Sequence, residues 1–256
     1  MQDLPRPIPP HDAHTHTVFS DGRDTVLDMV RAAEATGLEA IAITDHVELE
    51  TSDLDVRRGE TERVGSRSSV AVIAGAQCHI MDVTGRLSLP RSAEDLPLIL
   101  ASFSNDTTGI CTNVPADRSR LIENVFGALR AVVSGGRVDV LADPFNLGRS
   151  EAALTPQDLP RAHIRDLARL MAEHNVALEL SGRAWWWHPA LSVGEFVREW
   201  SSLLAIFGHE GVKFVAGTNA HCAGEVGNNH FTRRIMRVSG VELSMAVNLA
   251  SLADAG

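Results

Sequence analysis

Residues 11–48 read HDAHTHTVFSDGRDTVLDMVRAAEATGLEAIAITDHVE, and this stretch decides the fold. Apolar residues recur at helical spacing over 25–35, and Gly37 follows them where a glycine commonly ends a helix. Apolar residues also fill 40–44, a run typical of a buried strand. The stretch therefore predicts a strand, a helix and a second, parallel strand in succession.

Side chains with metal-binding chemistry lie near the ends of both predicted strands. His14 and His16 alternate with Ala and Thr, so on a strand their imidazoles share a face. Asp21 follows in a Ser-Asp-Gly turn, and His46 follows the second strand. Because parallel α/β folds bind ligands at the C-terminal ends of their strands, we expect these four side chains to converge. Imidazoles with a carboxylate suit Zn, Mn or Fe.

The rest of the chain continues the alternation of strands and helices. Further strands are predicted at 70–80, 98–103, 138–142, 176–180 and 212–218. Helices are predicted near 118–133, 156–175, 193–207, 228–237 and 244–254. The charged stretch 48–67 is interpreted as a solvated loop or short helix that is placed to act as a lid, and 82–89 as a small hairpin.

Composition limits the class of protein. The chain has 256 residues, 44% of them hydrophobic, and a formal net charge of −10. This length suits one α/β barrel, so we predict a single domain over 1–256 with an extended, proline-rich lead-in at 1–10. The acidic balance argues against nucleic acid as a partner. Three cysteines without a CxxC pair, and no signal or membrane-spanning pattern, predict a cytoplasmic protein with no membrane partner.

At the residues quoted above, the chain resembles the PHP (polymerase and histidinol phosphatase) family of metal-dependent phosphoesterases. The resemblance is close over 12–46 and looser, though collinear, to about residue 222. It implies an α/β fold, a distorted (β/α)7 TIM-like barrel. It also implies up to three metal ions at the C-terminal mouth of the barrel, where they activate water against a phosphate ester.

The resemblance also assigns metal ligands. One group matches Asp21, His46 and His221, all of which are competent ligands. A second group contains His14 and His16 together with two amides, Gln77 and Asn219, at positions where the family has carboxylates. A third group combines Gln77 with Ser104 and Asp143, and only Asp143 is a strong ligand.

These substitutions change the expected number of metal ions. Amide oxygens are neutral, whereas carboxylates neutralise and bridge divalent ions, so a full three-metal cluster is not expected. We predict one divalent transition metal (Zn, Mn or Fe) at Asp21, His46 and His221. His14 and His16 leave room for a second with help from water or substrate, so one or two ions are expected per chain. Since His79 shares a strand face with Gln77, we expect it to compensate for the lost carboxylate.

Other residues receive catalytic or substrate-binding roles. His14 and His16, where free of metal, are predicted to act as general acid or base beside Asp21. Three arginines follow strand ends and are placed to clamp an anionic group: Arg23, Arg149 and Arg183. The run 185–187 is Trp-Trp-Trp and is expected to border the mouth, with Trp186 contacting the substrate.

Three functions remain open at this level. The first is a metal-dependent hydrolase acting on a small, anionic phosphate ester. The second is non-hydrolytic chemistry at a mononuclear metal, because two histidines and a carboxylate are also typical of non-haem iron sites. The third is a binding or regulatory module that has lost catalysis. Metal analysis separates the first two functions from the third.

Overall fold

Parallel strands and surrounding helices form a barrel in the computed structural model, which describes residues 10–93, 95–241 and 249. The predictions for 1–9 and for most of 244–254 lie outside the described residues. The strands are β1 (His11–Asp12), β2 (Ala40–Ile43), β3 (His46–Val47), β4 (Ala71–Asp82), β5 (Leu98–Thr108), β6 (Val140–Leu141), β7 (Ala177–Ser181) and β8 (Phe214–Gly217).

The strands follow one another around the sheet in the order β1, β2, β4, β5, β6, β7 and β8, and all of these pairs are parallel. β3 continues β2 past a two-residue break and pairs with the same strand, β4, so the sheet has seven strand positions. The first and last strands meet through a hydrogen bond from Ala13 N to Ala216 O at 2.9 Å and a bridge between Thr15 and Ala220. The predicted distorted (β/α)7 barrel is therefore confirmed.

In the part of the chain that the structure describes, six α-helices surround the strands: α1 (Val26–Thr36), α2 (Leu54–Gly65), α3 (Arg118–Ser134), α4 (Arg161–His174), α5 (Val193–His209) and α6 (His230–Ser239). α1 begins with a reciprocal cap between Thr25 and Asp28, and Gly37 ends it at a φ of 71°. The charged stretch after His46 forms α2, a helix rather than a loop. Ion pairs one turn apart, such as Arg57 with Asp53, support this polar helix.

Apolar clusters on the inner and outer faces of the sheet hold the barrel together. Small and branched side chains fill its interior, including Ala42, Leu100, Val215 and Leu249. A larger cluster packs the outer face of the sheet against α3, α4 and α5. The apolar layer inside the barrel stops short of the C-terminal ends of the strands. Polar side chains fill the barrel at that end. Within the described residues, the helices are too short or too polar to cross a bilayer.

Candidate metal centre

A cavity of about 640 Å³ opens at the C-terminal ends of the strands. The backbone after β1 remains extended and leads into its floor. The Thr15 hydroxyl donates to Ala42 O at 2.7 Å, which holds Thr15 against β2. His14 and His16 therefore project together to the other side, and their Nε2 atoms lie 3.0 Å apart.

The turn that carries Asp21 is fixed by a different carboxylate. Asp45 accepts hydrogen bonds from Thr17 N at 2.7 Å and from the Ser20 hydroxyl at 2.6 Å. Gly22 must lack a side chain, because a Cβ there would overlap the carbonyl of His16. The Ser-Asp-Gly turn is thus packed directly against the His-Thr-His segment.

Asp21 stands at the centre of three imidazoles. Its carboxylate lies 3.1 Å from His221 Nε2, 3.5 Å from His16 Nδ1 and 3.7 Å from His46 Nε2. The ring of His16 stacks on the rings of His46 and His221, each at a centroid distance of 4.5 Å. The hydrogen bond from His221 lowers the pKa of Asp21 to about 2, so the carboxylate is ionised. The structure thus brings the first predicted ligand group together and adds His16 to it.

His14 lies deeper, between a carboxylate and an amide. Its Nδ1 is 3.0 Å from Glu179 Oε1, and its Nε2 is 2.8 Å from Gln77 Oε1. The Gln77 amide nitrogen donates to Ser102 Oγ at 2.8 Å. The resemblance had paired Gln77 with Ser104, but the contact is made by Ser102, two residues earlier on the same face of β5.

The arrangement around His14 favours a positive charge at Nε2. With Nδ1–H directed to Glu179, Nε2 faces the acceptor Gln77 Oε1 and the Nε2 of His16. Burial by itself lowers the pKa of His14, but the Glu179 carboxylate raises it to about 9. A proton or a metal ion at Nε2 is therefore stabilised by the same contacts.

Two other imidazoles are held in the neutral form that binds metal. Burial lowers the pKa of His16 well below its usual range and that of His46 to about 3. Ligand atoms of His16, Asp21 and His46 all lie within 4.8 Å of one another. Neutral imidazoles beside an ionised carboxylate fit a divalent transition metal.

Asp143 and Asn219 form a polar pair beside His14. Asn219 Nδ2 donates to Asp143 Oδ2 at 2.6 Å, and both residues have positive φ angles, 53° and 39°. The remaining oxygen of each side chain has no hydrogen-bond partner among the described residues. Burial, followed by the nearby Glu179 carboxylate, raises the pKa of Asp143 to about 6. Asp143 thus lies close to the predicted ligands, but its neighbours are His14, Glu179 and Asn219 rather than Ser104.

His79 borders the cavity beside His46. Their rings lie 4.7 Å apart, and His79 Nε2 is 3.5 Å from Glu48 Oε1. His79 is therefore next to the predicted metal ligands without contacting Asp21 as they do. Its role as a ligand stays a prediction.

The predicted substrate-binding residues take different positions. Arg23, Arg183 and Trp186 line the cavity, and Arg183 forms an ion pair with Glu225. Arg149 is absent from the described lining residues. Its guanidinium stacks at 3.6 Å on the Trp186 ring and donates to the Trp186 carbonyl at 2.7 Å. The roles of all four in binding stay predictions.

Glu179 was not among the residues predicted from the sequence. It is 1% exposed and belongs to β7, a strand whose other residues are mostly apolar. The available signal was strand alternation, because Glu179 faces away from Leu178 and Leu180. In a barrel whose outer face is covered by helices, that opposite face is the interior.

Comparison with known proteins gives matches along most of the chain. Residues 12–183 match the family described as "PHP domain". A probable phosphatase of Vibrio campbellii is 25% identical over 241 residues, which cover 92% of this chain and 87% of that protein. One from Acetivibrio thermocellus is 27% identical over 222 residues, covering 84% and 81%.

Among solved structures, histidinol phosphate phosphatase from Lactococcus lactis, crystallised with Zn, L-histidinol and phosphate, has a similar fold. Its TM-score is 0.71 at 17% identity, with 91% of this chain and 95% of that chain covered. A putative histidinol phosphatase from Listeria monocytogenes gives a TM-score of 0.60 at 12% identity.

Proposed function

The chain belongs to the PHP domain family, and from that premise we propose that it is a metal-dependent phosphoesterase acting on a small phosphate ester. The observation that carries this proposal is the convergence of three imidazoles on the ionised carboxylate of Asp21 at an open cavity. Its relatives from Vibrio campbellii and Acetivibrio thermocellus are named probable phosphatases and match most of the chain.

The proposed centre holds one or two ions. Asp21, His46 and His221 hold the first, with His16 in reach, and His14, His16 and Gln77 hold the second. An ion bound there supplies Lewis-acid activation of water and of a phosphoryl oxygen. The choice among Zn, Mn and Fe rests on the nitrogen-rich ligand set, which all three accept.

Other residues bind the substrate and exclude water. Arg23 and Arg183 lie in the lining and supply positive charge for a phosphate. Glu225 pairs with Arg183 and holds its guanidinium at the rim. The indoles of Trp186 and Trp187 form an apolar wall for the non-phosphate part of the substrate.

Proton transfer to the substrate requires a group that reaches the cavity. His14 is 0% exposed, its Nδ1 faces Glu179 and its Nε2 faces Gln77 at the proposed ion site, which argues against the general acid–base role predicted for it. His79 lines the cavity, is partly exposed and faces Glu48, which orients its ring. His79 is therefore better placed than His14 to transfer a proton in the cavity, and because burial lowers its pKa the neutral ring acts as a proton acceptor.

Metal content and hydrolysis together test the proposal. Protein purified without chelator should contain about one or two ions per chain by elemental analysis and should hydrolyse p-nitrophenyl phosphate. His46→Ala should lose an ion and reduce hydrolysis about a hundredfold or more.

The control is His174→Ala. His174 is exposed at the end of α4, where the chain enters the N-terminal end of β7, opposite the mouth. It should retain wild-type metal and activity. Bound metal without hydrolysis of any phosphate ester would favour non-hydrolytic chemistry, and a chain without metal would favour a binding module.

A further inference from the structure

Glu179 makes two short polar contacts inside the barrel, one with each carboxylate oxygen. Oε1 lies 3.0 Å from His14 Nδ1, and Oε2 accepts a hydrogen bond from Asp143 N at 2.6 Å. All three residues are at most 4% exposed. Glu179 therefore links the imidazole at the floor of the cavity to the backbone at the end of β6.

The neighbouring strand leaves room for this carboxylate. At Gly217, on β8, a Cβ would overlap the Glu179 carboxylate and would lie 2.8 Å from the Cβ of His14. Any larger residue there would displace Glu179, His14 or both. The pairing thus depends on one glycine as well as on the two side chains.

Only a carboxylate satisfies both contacts. An ionised carboxylate has two acceptor oxygens and no donor, and here each oxygen faces an N–H. A glutamine in the same position has one acceptor and one donor, so it would face either His14 or Asp143 with the wrong group. If its amide nitrogen faced His14 Nδ1, the neutral imidazole would carry its proton on Nε2 instead.

That proton position matters because Nε2 is the atom directed at the other ligands. It lies 3.0 Å from His16 Nε2 and 2.8 Å from Gln77 Oε1. With the proton on Nδ1, Nε2 offers a lone pair to a metal ion. With the proton on Nε2, the same nitrogen is blocked.

Glu179 also supplies charge. Gln77 and Asn219 are neutral amides, so the negative charge that acts on the His14 imidazole comes from Glu179 and Asp143. Ligand-type atoms of His14, Asp143 and Glu179 all lie within 4.8 Å of one another. The negative charge of Glu179, next to His14 Nδ1, can offset the positive charge of an ion held at His14 Nε2.

We propose that Glu179 is a positioning residue of the metal centre, which fixes His14 with Nε2 free to bind metal and supplies negative charge that the two amides lack. This inference rests on the proposed function, since it requires a metal ion at His14. Glu179 acts through His14, because its two oxygens face His14 Nδ1 and Asp143 N and its side chain is not in the described lining of the cavity.

Glu179→Gln tests this role with two measurements. Competition with a chromophoric chelator should show Zn²⁺ affinity reduced about 10- to 100-fold. In protein labelled with ¹⁵N-histidine, the wild type should show a protected, downfield Nδ1–H signal, assigned by its loss in His14→Gln. That signal should disappear in Glu179→Gln if the amide nitrogen faces His14, or move upfield if the weaker, neutral amide oxygen does. The matched control, Glu173→Gln on the exposed surface of α4, should change neither measurement.

Gly217→Ala is a second variant, which keeps the Glu179 carboxylate but displaces it. Like Glu179→Gln, this variant should bind Zn²⁺ more weakly than the wild type. The inference is overturned if Glu179→Gln is merely less stable, with the Nδ1–H signal and Zn²⁺ affinity of the wild type. Wild-type protein that binds no Zn²⁺ would instead remove the proposed function, and the inference with it. The two failures are therefore distinguishable.

Discussion

Asp12 and Asp21 lie on either side of the His-Thr-His segment and have opposite surroundings. Asp12 is 0% exposed, and its oxygens accept hydrogen bonds from Thr218 N at 2.9 Å, the Thr218 hydroxyl at 2.5 Å and Gly227 N at 3.0 Å. Asp21 has 54% of its side chain exposed, and its neighbours are imidazoles. The same residue type therefore closes the barrel in one place and forms the candidate metal centre in the other.

The difference lies in which atoms fill the lone pairs of each carboxylate. N–H and O–H donors occupy those of Asp12, so it joins β1 to β8 and cannot also bind an ion. Asp45 is held in the same way by Thr17 and Ser20. Asp21 instead has a long contact of 3.4 Å from the Ser20 hydroxyl and a hydrogen bond from His221, and the imidazoles around it are themselves potential ligands of the same ion. A buried carboxylate whose oxygens all accept hydrogen bonds thus indicates a structural role. A carboxylate surrounded by histidines indicates a functional site.

Asp12→Ala should have the largest effect on stability. It leaves several buried donors without an acceptor at the junction of the first and last strands, so the free energy of unfolding should fall by roughly 3–5 kcal/mol. Urea unfolding of metal-free protein measures this change.

Asp21→Ala is the matched comparison. Because this side chain is half exposed, metal-free Asp21→Ala should lose less than about 1 kcal/mol of stability. It should nevertheless lose the ion bound beside His46 and His221. Equal destabilisation by the two alanine substitutions would contradict a purely structural role for Asp12 and a metal-binding role for Asp21.

Acid should weaken the same junction through His11. Its Nε2 accepts a hydrogen bond from Ala216 N at 3.2 Å, and burial lowers its pKa to about 4. The unfolded chain takes up this proton near pH 6.5 and the folded chain only near pH 4. The contribution of neutral His11 to the free energy of unfolding is therefore fully present above pH 6.5. It falls by ~3 kcal/mol as the pH drops from 6.5 through 4.

His11→Gln checks the assignment, because its amide oxygen can accept from Ala216 N without titrating. Between pH 6.5 and pH 4, its unfolding free energy should depend on pH with a slope smaller by about one proton than that of the wild type. An unchanged slope would assign the acid sensitivity to other groups.

The sequence predicted the mouth better than the junction. His14, His16, Asp21 and His46 lie in one βαβ unit, where strand alternation and a glycine turn determine how they converge. Asp12 looks the same in sequence as any acid near a strand, since its partners across the junction are two backbone N–H groups and one hydroxyl of residues more than two hundred positions away. Hydrogen bonds to backbone atoms leave no residue-specific pattern.

Contacts between distant strands were missed for a related reason. Glu179 is on β7, near the other end of the strand order, so only the closure of β8 against β1 brings it to His14. Ser102 was missed in favour of Ser104 because both lie on one face of β5, and the strand register alone decides between them. Strand existence follows from local apolar runs, whereas register follows from packing of the whole sheet.

The double variant Gln77→Glu with Asn219→Asp sharpens the contrast by adding carboxylates to the mouth. Asn219 Nδ2 donates to Asp143 Oδ2 at 2.6 Å, so the new aspartate would face another carboxylate. Without metal, the variant should lose about 1–3 kcal/mol of stability. Added Zn²⁺ should restore it, because the ion binds the new oxygens.

Thermal unfolding with and without Zn²⁺ measures this difference. The increase in Tm on adding metal should be larger in the double variant than in the wild type, and metal content per chain should rise. Variants with either single substitution separate the loss of the Asn219–Asp143 hydrogen bond from the change at Gln77. An identical Tm response in wild type and double variant would place both amides outside the metal centre.

The smallest expected effect concerns the rim of the mouth. Trp186 lines the cavity with 44% of its surface exposed, and the Arg149 guanidinium stacks on its ring. Since Trp186 is proposed to contact only the non-phosphate part of the substrate, Trp186→Ala should raise KM for p-nitrophenyl phosphate two- to fivefold, roughly 0.4–1 kcal/mol, and leave kcat unchanged. Inhibition by inorganic phosphate should not change, because phosphate lacks that part. Trp185→Ala is the matched control, since Trp185 is 41% exposed yet absent from the described lining residues. A rise in KM shared equally by both variants would mean that the loop as a whole, and not the Trp186 ring, contacts the substrate.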